Sequence, residues 1–272
     1  MSEQSPQHDK DSPGGSEDEK LAEGTLISHL VELRQRLVRA TIAIGIVFLC
    51  LVPFAQQIFT LVATPLIDQL PEGSTMIATQ VASPFLTPFK TTLFVALFAA
   101  MPVVLYQIWQ FVAPGLYRKE KRFAIPLLIS SIILFYGGIA FAYYVVFGLV
   151  FAFMVGVTPD EVAMMTDINE YLSFVLTLFF AFGVAFEVPI ATVMLVWTGL
   201  TNVRVLSAAS PYIFLGAFVA GMFLTPPDII SQTLLAVPIY LLYESGLLLC
   251  RILLPEQQGE AEEAEEAQGE KE

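Results

Sequence analysis

Apolar residues run along this chain in long blocks separated by short polar breaks. Thr91 to Tyr117 carries no charged residue, and neither does Phe123 to Pro159. Each block exceeds the roughly 20 apolar residues a helix needs to cross about 30 Å of hydrocarbon. Six such spans can be read: Leu37 to Phe54, extending toward Val62, then Thr91 to Val112, Phe123 to Phe147, Tyr171 to Trp197, Tyr212 to Leu224 and Ile229 to Cys250. The pattern predicts an all-α polytopic membrane protein with six transmembrane helices. Ahead of the first span, Leu26, Leu30, Leu33 and Leu37 fall on one helical stripe, with His29, Glu32, Arg34 and Arg36 off it. This predicts an amphipathic helix at the interface, capped by Thr25 or Ser28.

Between spans one and two, Phe59, Leu61, Val62, Leu66, Ile67 and Leu70 predict an interfacial apolar segment broken by Pro65. Pro84 and Pro88 argue against one continuous helix leading into span two. Loop 55–90 is thus expected to be a structured cap. Spans five and six read as short. From Pro211, a plausible first helical residue, about 14 residues to Leu224 rise only about 21 Å, and the run from Ile229 to Glu244 rises about 22 Å. Spans of that length imply a thinned bilayer or shielding by neighbours. No internal repeat is evident, which weakens an inverted-repeat transporter reading.

Charge fixes the expected orientation. Arg34, Arg36 and Arg39 precede span one, and Arg118, Lys119, Lys121 and Arg122 follow span two. Arg204 follows span four and Arg251 follows span six, whereas segment 148–170 holds four acids and no base. Cytoplasmic segments collect Lys and Arg. Both tails are therefore expected inside (N-in/C-in), with 55–90 and 148–170 outside.

Composition agrees. The chain of 272 residues is 56% hydrophobic, with mean hydropathy +0.69. Its net charge of -13 belongs mostly to the ends. Residues 1–24 hold seven acids and two lysines, and 255–272 hold eight acids and one lysine. Such segments bury too little to fold alone, so 1–24 and 254–272 are expected as disordered acidic tails flanking a membrane domain over 25–253. Cys50 and Cys250 are expected on opposite sides of the bilayer, too far apart to bridge. The polar N-terminus shows no apolar signal-peptide core, so the first span is the expected insertion signal.

The candidate chemistry is sparse. Outside the tails, Glu32 and Glu120 are the only acids placed clearly in cytoplasmic segments. Carboxylates on a basic face suit guanidinium groups, which pair with them bidentately. The plainer reading of Glu32 is an i,i+4 pair with Arg36, and neighbouring cations can neutralise Glu120. Glu187 lies well inside span four, beside Pro189. An ionisable group in hydrocarbon is a functional candidate by default, against the plain alternative of a neutral, hydrogen-bonded Glu. No second intramembrane carboxylate stands at matching depth to support a proton relay. Thr225, Gln232 and Thr233 offer polar groups where spans five and six meet, for a partner helix or for intrachain bonds. Only His8 and His29 are present, which excludes an HExxH zinc site and bis-His haem ligation. No GxSxG elbow or phosphate-cradling glycine loop occurs.

Five stretches carry a resemblance: His29-Leu-Val-Glu-Leu-Arg-Gln-Arg-Leu37, Ser83-Pro-Phe85, Phe111-Val-Ala-Pro-Gly-Leu-Tyr117 followed by Glu120, Phe182-Gly-Val-Ala-Phe-Glu-Val-Pro189, and Leu224-Thr-Pro-Pro-Asp228. Their order and topology resemble the TatC family, the six-helix receptor component of the twin-arginine protein translocase. The resemblance covers about 25–253. It implies a bacterial inner-membrane protein that binds the twin-arginine signal peptides of folded cargo. Glu32 and Glu120, with Arg34 in the same motif and Phe111, match the family's recognition surface. Pro65, Phe85 and Asp228 match its external-loop positions, and Glu187 its intramembrane glutamate. Met222, Thr225 and Gln232 match a contact surface for TatB and TatA helices. It also implies homo-oligomers within a receptor complex and transport driven by the proton-motive force. No cofactor, nucleic acid or catalytic role is implied. One departure is Ser207-Ala-Ala-Ser210, which leaves Arg204 alone where the family usually carries several bases. The resulting expectation is a signal receptor and assembly scaffold. The rivals are a proton-coupled small-solute transporter centred on Glu187 and a general membrane insertase.

Overall fold

A computed structural model of the chain describes residues 14–67, 75–112, 121–157, 165–224 and 229–253. Helix α1 spans Gly14–Leu51, so it begins inside the segment expected as a disordered tail. A 3-10 turn at Val52–Phe54, with Pro53 in it, leads into α2 over Ala55–Ile67. The others are α3 (Ser83–Val112), α4 (Lys121–Phe141), α5 (Phe147–Val157), α6 (Ile168–Ala185), α7 (Val188–Trp197), α8 (Val203–Leu224) and α9 (Ile229–Leu253). A π-helical stretch at Ala142–Val146 joins α4 to α5. Among the described residues, six helical runs are long and apolar enough to cross a membrane, in agreement with the expected six spans.

Several spans outrun their expected limits. Span two starts at Ser83, and the helix passes through Pro88. The proline argument against a continuous helix is therefore corrected. Pro84 lies in the first turn, where an N–H has no partner to lose, and Pro88 follows one turn later, so the helix forgoes only one hydrogen bond there, to a carbonyl of its first turn. The hydroxyls of Thr91 and Thr92 donate to the carbonyls of Thr87 and Pro88, at 2.9 and 2.7 Å. Pro211 likewise lies inside α8 and does not start it. The overlooked start signal is Asn202, whose Oδ1 accepts from the Val205 N–H at 2.8 Å. With 22 residues, α8 is about 33 Å long, so the short-span argument no longer applies to the helix as a whole. Glu244 does not limit α9 either, because the Ser210 hydroxyl of α8 donates to its Oε1 at 2.9 Å.

Helix α3 packs on α1, α2, α4 and α6, while α9 packs on α7 and α8. The core is centred on α6, where Leu172, Val175, Leu176, Leu178 and Phe182 are buried with Phe135, Phe147 and Val150. Half of the most apolar window of Ile168–Trp197 is buried, against 6% for Leu30–Thr64 and 11% for Val203–Leu224. The first and fifth spans therefore turn most of their apolar surface outward, as helices bathed in lipid do. Close backbone approach holds α4 to α6. A Cβ added to Gly138 would lie 2.4 Å from the Phe182 carbonyl oxygen, and one on Gly183 would lie 2.6 Å from the Phe135 ring. Small residues at such crossings are the usual basis of helix association in lipid.

At the end of the bundle away from Arg34, Arg36 and Arg39, the chain forms a feature the all-α expectation lacks. Strand β1 (Thr75–Ile77) pairs in parallel with β2 (Met165–Asp167). Asp167 fastens this junction from both sides. Its Oδ2 accepts from the backbone N–H and hydroxyl of Thr79, at 2.7 and 2.5 Å. Its Oδ1 caps α6 by accepting from the N–H groups of Asn169 and Glu170. The Thr79 hydroxyl foremost, then these N–H donors, hold its carboxyl at about 2, below the ordinary 3.8. A depressed carboxyl contributes stability that is complete above its unfolded pKa and lost as pH falls through its folded one. The clasp should thus hold at pH 5 and release between about pH 4 and 2. A carbon-13 titration of the Asp167 carboxyl in nanodiscs should show a midpoint near 2, moved upward by Thr79→Val. A wild-type midpoint near 4 would contradict the clasp.

Candidate functional site

Three groups of polar side chains stand out against the apolar bundle. The first lies at the seam between α1 and α3. Arg36 is mostly enclosed, with 16% of its side chain exposed, and Glu32 is half-buried at 35%. One turn separates them, so the helix itself brings them together. The Arg36 Nε donates to Glu32 Oε1 at 3.0 Å, and Nη2 donates to the same oxygen. From its other side, Nη1 donates to Gln110 Oε1 of α3 at 2.6 Å. Gln110 is held in turn, its Nε2 donating to the Tyr106 hydroxyl. The plain i,i+4 reading of Glu32 is therefore present, and it continues as a cross-helix tie that sequence spacing did not reveal. Phe111, half-buried, follows Gln110 directly, so Glu32 and Phe111 share this end of the bundle. Arg34 is exposed on α1. Glu120 lies outside the described residues.

The second group surrounds Glu187. The fourth span is broken there: α6 ends at Ala185, and Glu187 stands immediately before α7, with Pro189 in the first turn of that helix. The Ser131 hydroxyl of α4 lies beside the Glu187 carboxyl. Ser131 is fully buried and itself accepts from the Trp109 indole N–H at 3.1 Å. Glu187 Oε1 is buried without a hydrogen-bond partner. Trp109, Ser131 and Glu187 thus form a polar chain through α3, α4 and the α6–α7 break. Neither Trp109 nor Ser131 was singled out from the sequence. The available signal was Ser131 itself, a hydroxyl within the charge-free third span.

The third group lies between α8 and α9. Gln232 Nε2 donates to the Phe218 carbonyl at 2.7 Å, and the Thr233 hydroxyl to that of Ile229 at 2.6 Å. These are the intrachain bonds weighed for both residues. Gln232 packs against Gly221, next to Met222, which is exposed. Gln232 thus meets α8 one residue before Met222, while Thr225 and Asp228 lie outside the described residues. Pro65 falls in the last turn of α2, and Phe85 is exposed in the first turn of α3, its ring 5.0 Å from that of Phe89.

These positions sit on a chain whose residues 28–238 match the family model described as Sec-independent protein translocase protein (TatC). The chain belongs to the TatC family. Its relatives include a Sec-independent protein translocase protein TatC from Azotobacter chroococcum mcd 1, 58% identical over 222 residues, covering 82% of this chain and 87% of that one. The protein of the same name from Escherichia coli K12 is 55% identical over 226 residues, covering 83% and 88%. The fold is similar to a crystal structure of the twin-arginine translocase receptor TatC, with a TM-score of 0.75 and 38% identity. That match covers 82% of this chain and 98% of the other. The six spans and the family membership make this a multi-pass membrane protein. None of these comparisons supports the small-solute transporter alternative.

Proposed function

We propose that this chain is the signal receptor and assembly scaffold of a twin-arginine translocase. The likeness to a solved twin-arginine translocase receptor carries the reading. In it, the chain sits in a bacterial inner membrane with its arginine-rich end and both tails in the cytoplasm. Glu32 and Glu120 receive the paired arginines of a signal peptide, beside Phe111 and Arg34. The apolar part of the signal lies along the bundle toward Glu187. TatB and TatA helices gather on α8 and α9 near Met222, Thr225 and Gln232, and several copies of the chain share one receptor complex. Because the Gln232 amide already donates to the Phe218 carbonyl, a partner there must either use its other atoms or exchange that bond. The role is binding and assembly, with transport driven by the proton-motive force and no chemistry on this subunit.

A double-mutant cycle on signal affinity in nanodiscs tests recognition. A charge-assisted Arg–carboxylate contact is worth about 1.5–3 kcal/mol, toward the lower value when exposed. Glu120→Ala and Glu32→Ala should each weaken binding by roughly tenfold. The loss should shrink for signals whose arginines are already replaced by lysines. Strictly additive losses in every pairing would show that neither carboxylate meets the arginines.

A further inference from the structure

We propose that Arg36 is an internal occupant of the recognition site: its guanidinium rests on the Glu32 carboxylate and must be released before a signal arginine takes that carboxylate. The proposal builds on the receptor reading above. The group that Glu32 is proposed to receive is a guanidinium, and the group already on it is a guanidinium. All three nitrogens of Arg36 are engaged, Nε and Nη2 with Glu32 Oε1 and Nη1 with Gln110 Oε1. Both of the Glu32 bonds fall on Oε1, and an incoming fork needs both carboxylate oxygens for its two parallel bonds, so it competes with Arg36 at Oε1.

The surroundings fit exchange better than a permanent tie. Glu32 keeps about a third of its side chain exposed, and its partner comes from its own helix. Single i,i+4 pairs on one helix are weak, so the resident contact is one an incoming group can outcompete. Gln110 gives the displaced guanidinium a second anchor, itself fixed by Tyr106. Released from Glu32, Arg36 still has a partner on α3, which keeps it from becoming an unpaired cation at a half-buried seam. The α1–α3 contact is thereby retained while the carboxylate changes hands.

The test measures binding of a twin-arginine signal peptide to the full-length chain in nanodiscs. Arg36→Gln keeps a polar group beside Gln110 but removes the competing fork. It should tighten binding about two- to fivefold, the span expected for losing one weak ion pair. Arg36→Lys keeps the charge without the fork and should tighten binding to a smaller degree, which also covers the case where Arg36→Gln fails to fold. Arg39→Gln removes a neighbouring exposed cation that does not touch Glu32 and should change little. In a Glu32→Gln background, Arg36→Gln should have no effect. Weaker binding in the Arg36 variants, or an equal gain in Arg39→Gln, would overturn the proposal and leave a structural tie or plain charge repulsion. A wild-type chain that binds no twin-arginine peptide would instead overturn the receptor reading on which it rests.

Discussion

Gly138→Leu should leave almost no folded protein recoverable from the membrane. The atom in the way is the Phe182 carbonyl oxygen, 2.4 Å from where a Cβ would stand. It belongs to the backbone of α6 and cannot rotate aside, so the two helices must separate. The reciprocal contact, Gly183 under the Phe135 ring, lies in the same crossing and would open with it. Overpacking of a tight core typically costs 1–3 kcal/mol, and a clash with backbone at a helix crossing should exceed about 3 kcal/mol. The adjacent Gly137 is exposed, with nothing within 4 Å of an added Cβ, so Gly137→Leu should be tolerated. The comparison is the fraction eluting as a monodisperse species after detergent extraction. Equal recovery of the two variants would mean that the α4–α6 crossing does not hold the bundle together.

Glu187→Leu should reduce export of a twin-arginine reporter to background, while Glu187→Gln should retain a measurable part. Leucine removes the carboxyl beside the Ser131 hydroxyl and leaves the Trp109–Ser131 pair facing an apolar side chain. An orphaned buried polar group costs about 1–3 kcal/mol. Glutamine keeps a carbonyl oxygen for Ser131 and adds an amide at a position where one carboxyl oxygen has no partner. Both variants should insert at normal levels, checked by membrane blotting in cells lacking their own receptor. If glutamine abolishes export as fully as leucine, the ability to take up and lose a proton becomes the better account of Glu187.

The six spans were legible because hydrocarbon thickness imposes a single demand, about 20 apolar residues without charge, and composition answers it directly. Helix ends were less legible, for identifiable reasons. Pro88 was given more breaking power than it has, since α3 runs on through it, and Pro211 was read as a helix start although Asn202 had already started α8. The β1–β2 pair was invisible because three-residue strands carry no periodic signal and pair across the chain. At the site, the carboxylates were legible in the sequence and their company was not. Glu187 announced itself as an acid in an apolar span, whereas Trp109 and Ser131 become its neighbours only when α3, α4 and α6 pack. The Arg36–Glu32 pair follows from helical spacing, and its extension to Gln110 requires knowing that α1 lies on α3.

The small parallel sheet carries a consequence for how the chain is made. Thr75 pairs with Met165, a loop of roughly 90 residues whose closure is entropically slow compared with any helix in between. While the ribosome is still delivering the third span, β1 has no strand to pair with and Thr79 has no Asp167 to grip. The junction can close only once residues 165–167 have crossed to the same side as 75–77. Nascent chains arrested before that point should therefore carry an open, protease-sensitive 75–82 segment. Its protection would serve as a timer, reporting when biogenesis passes from threading individual helices to locking the finished bundle.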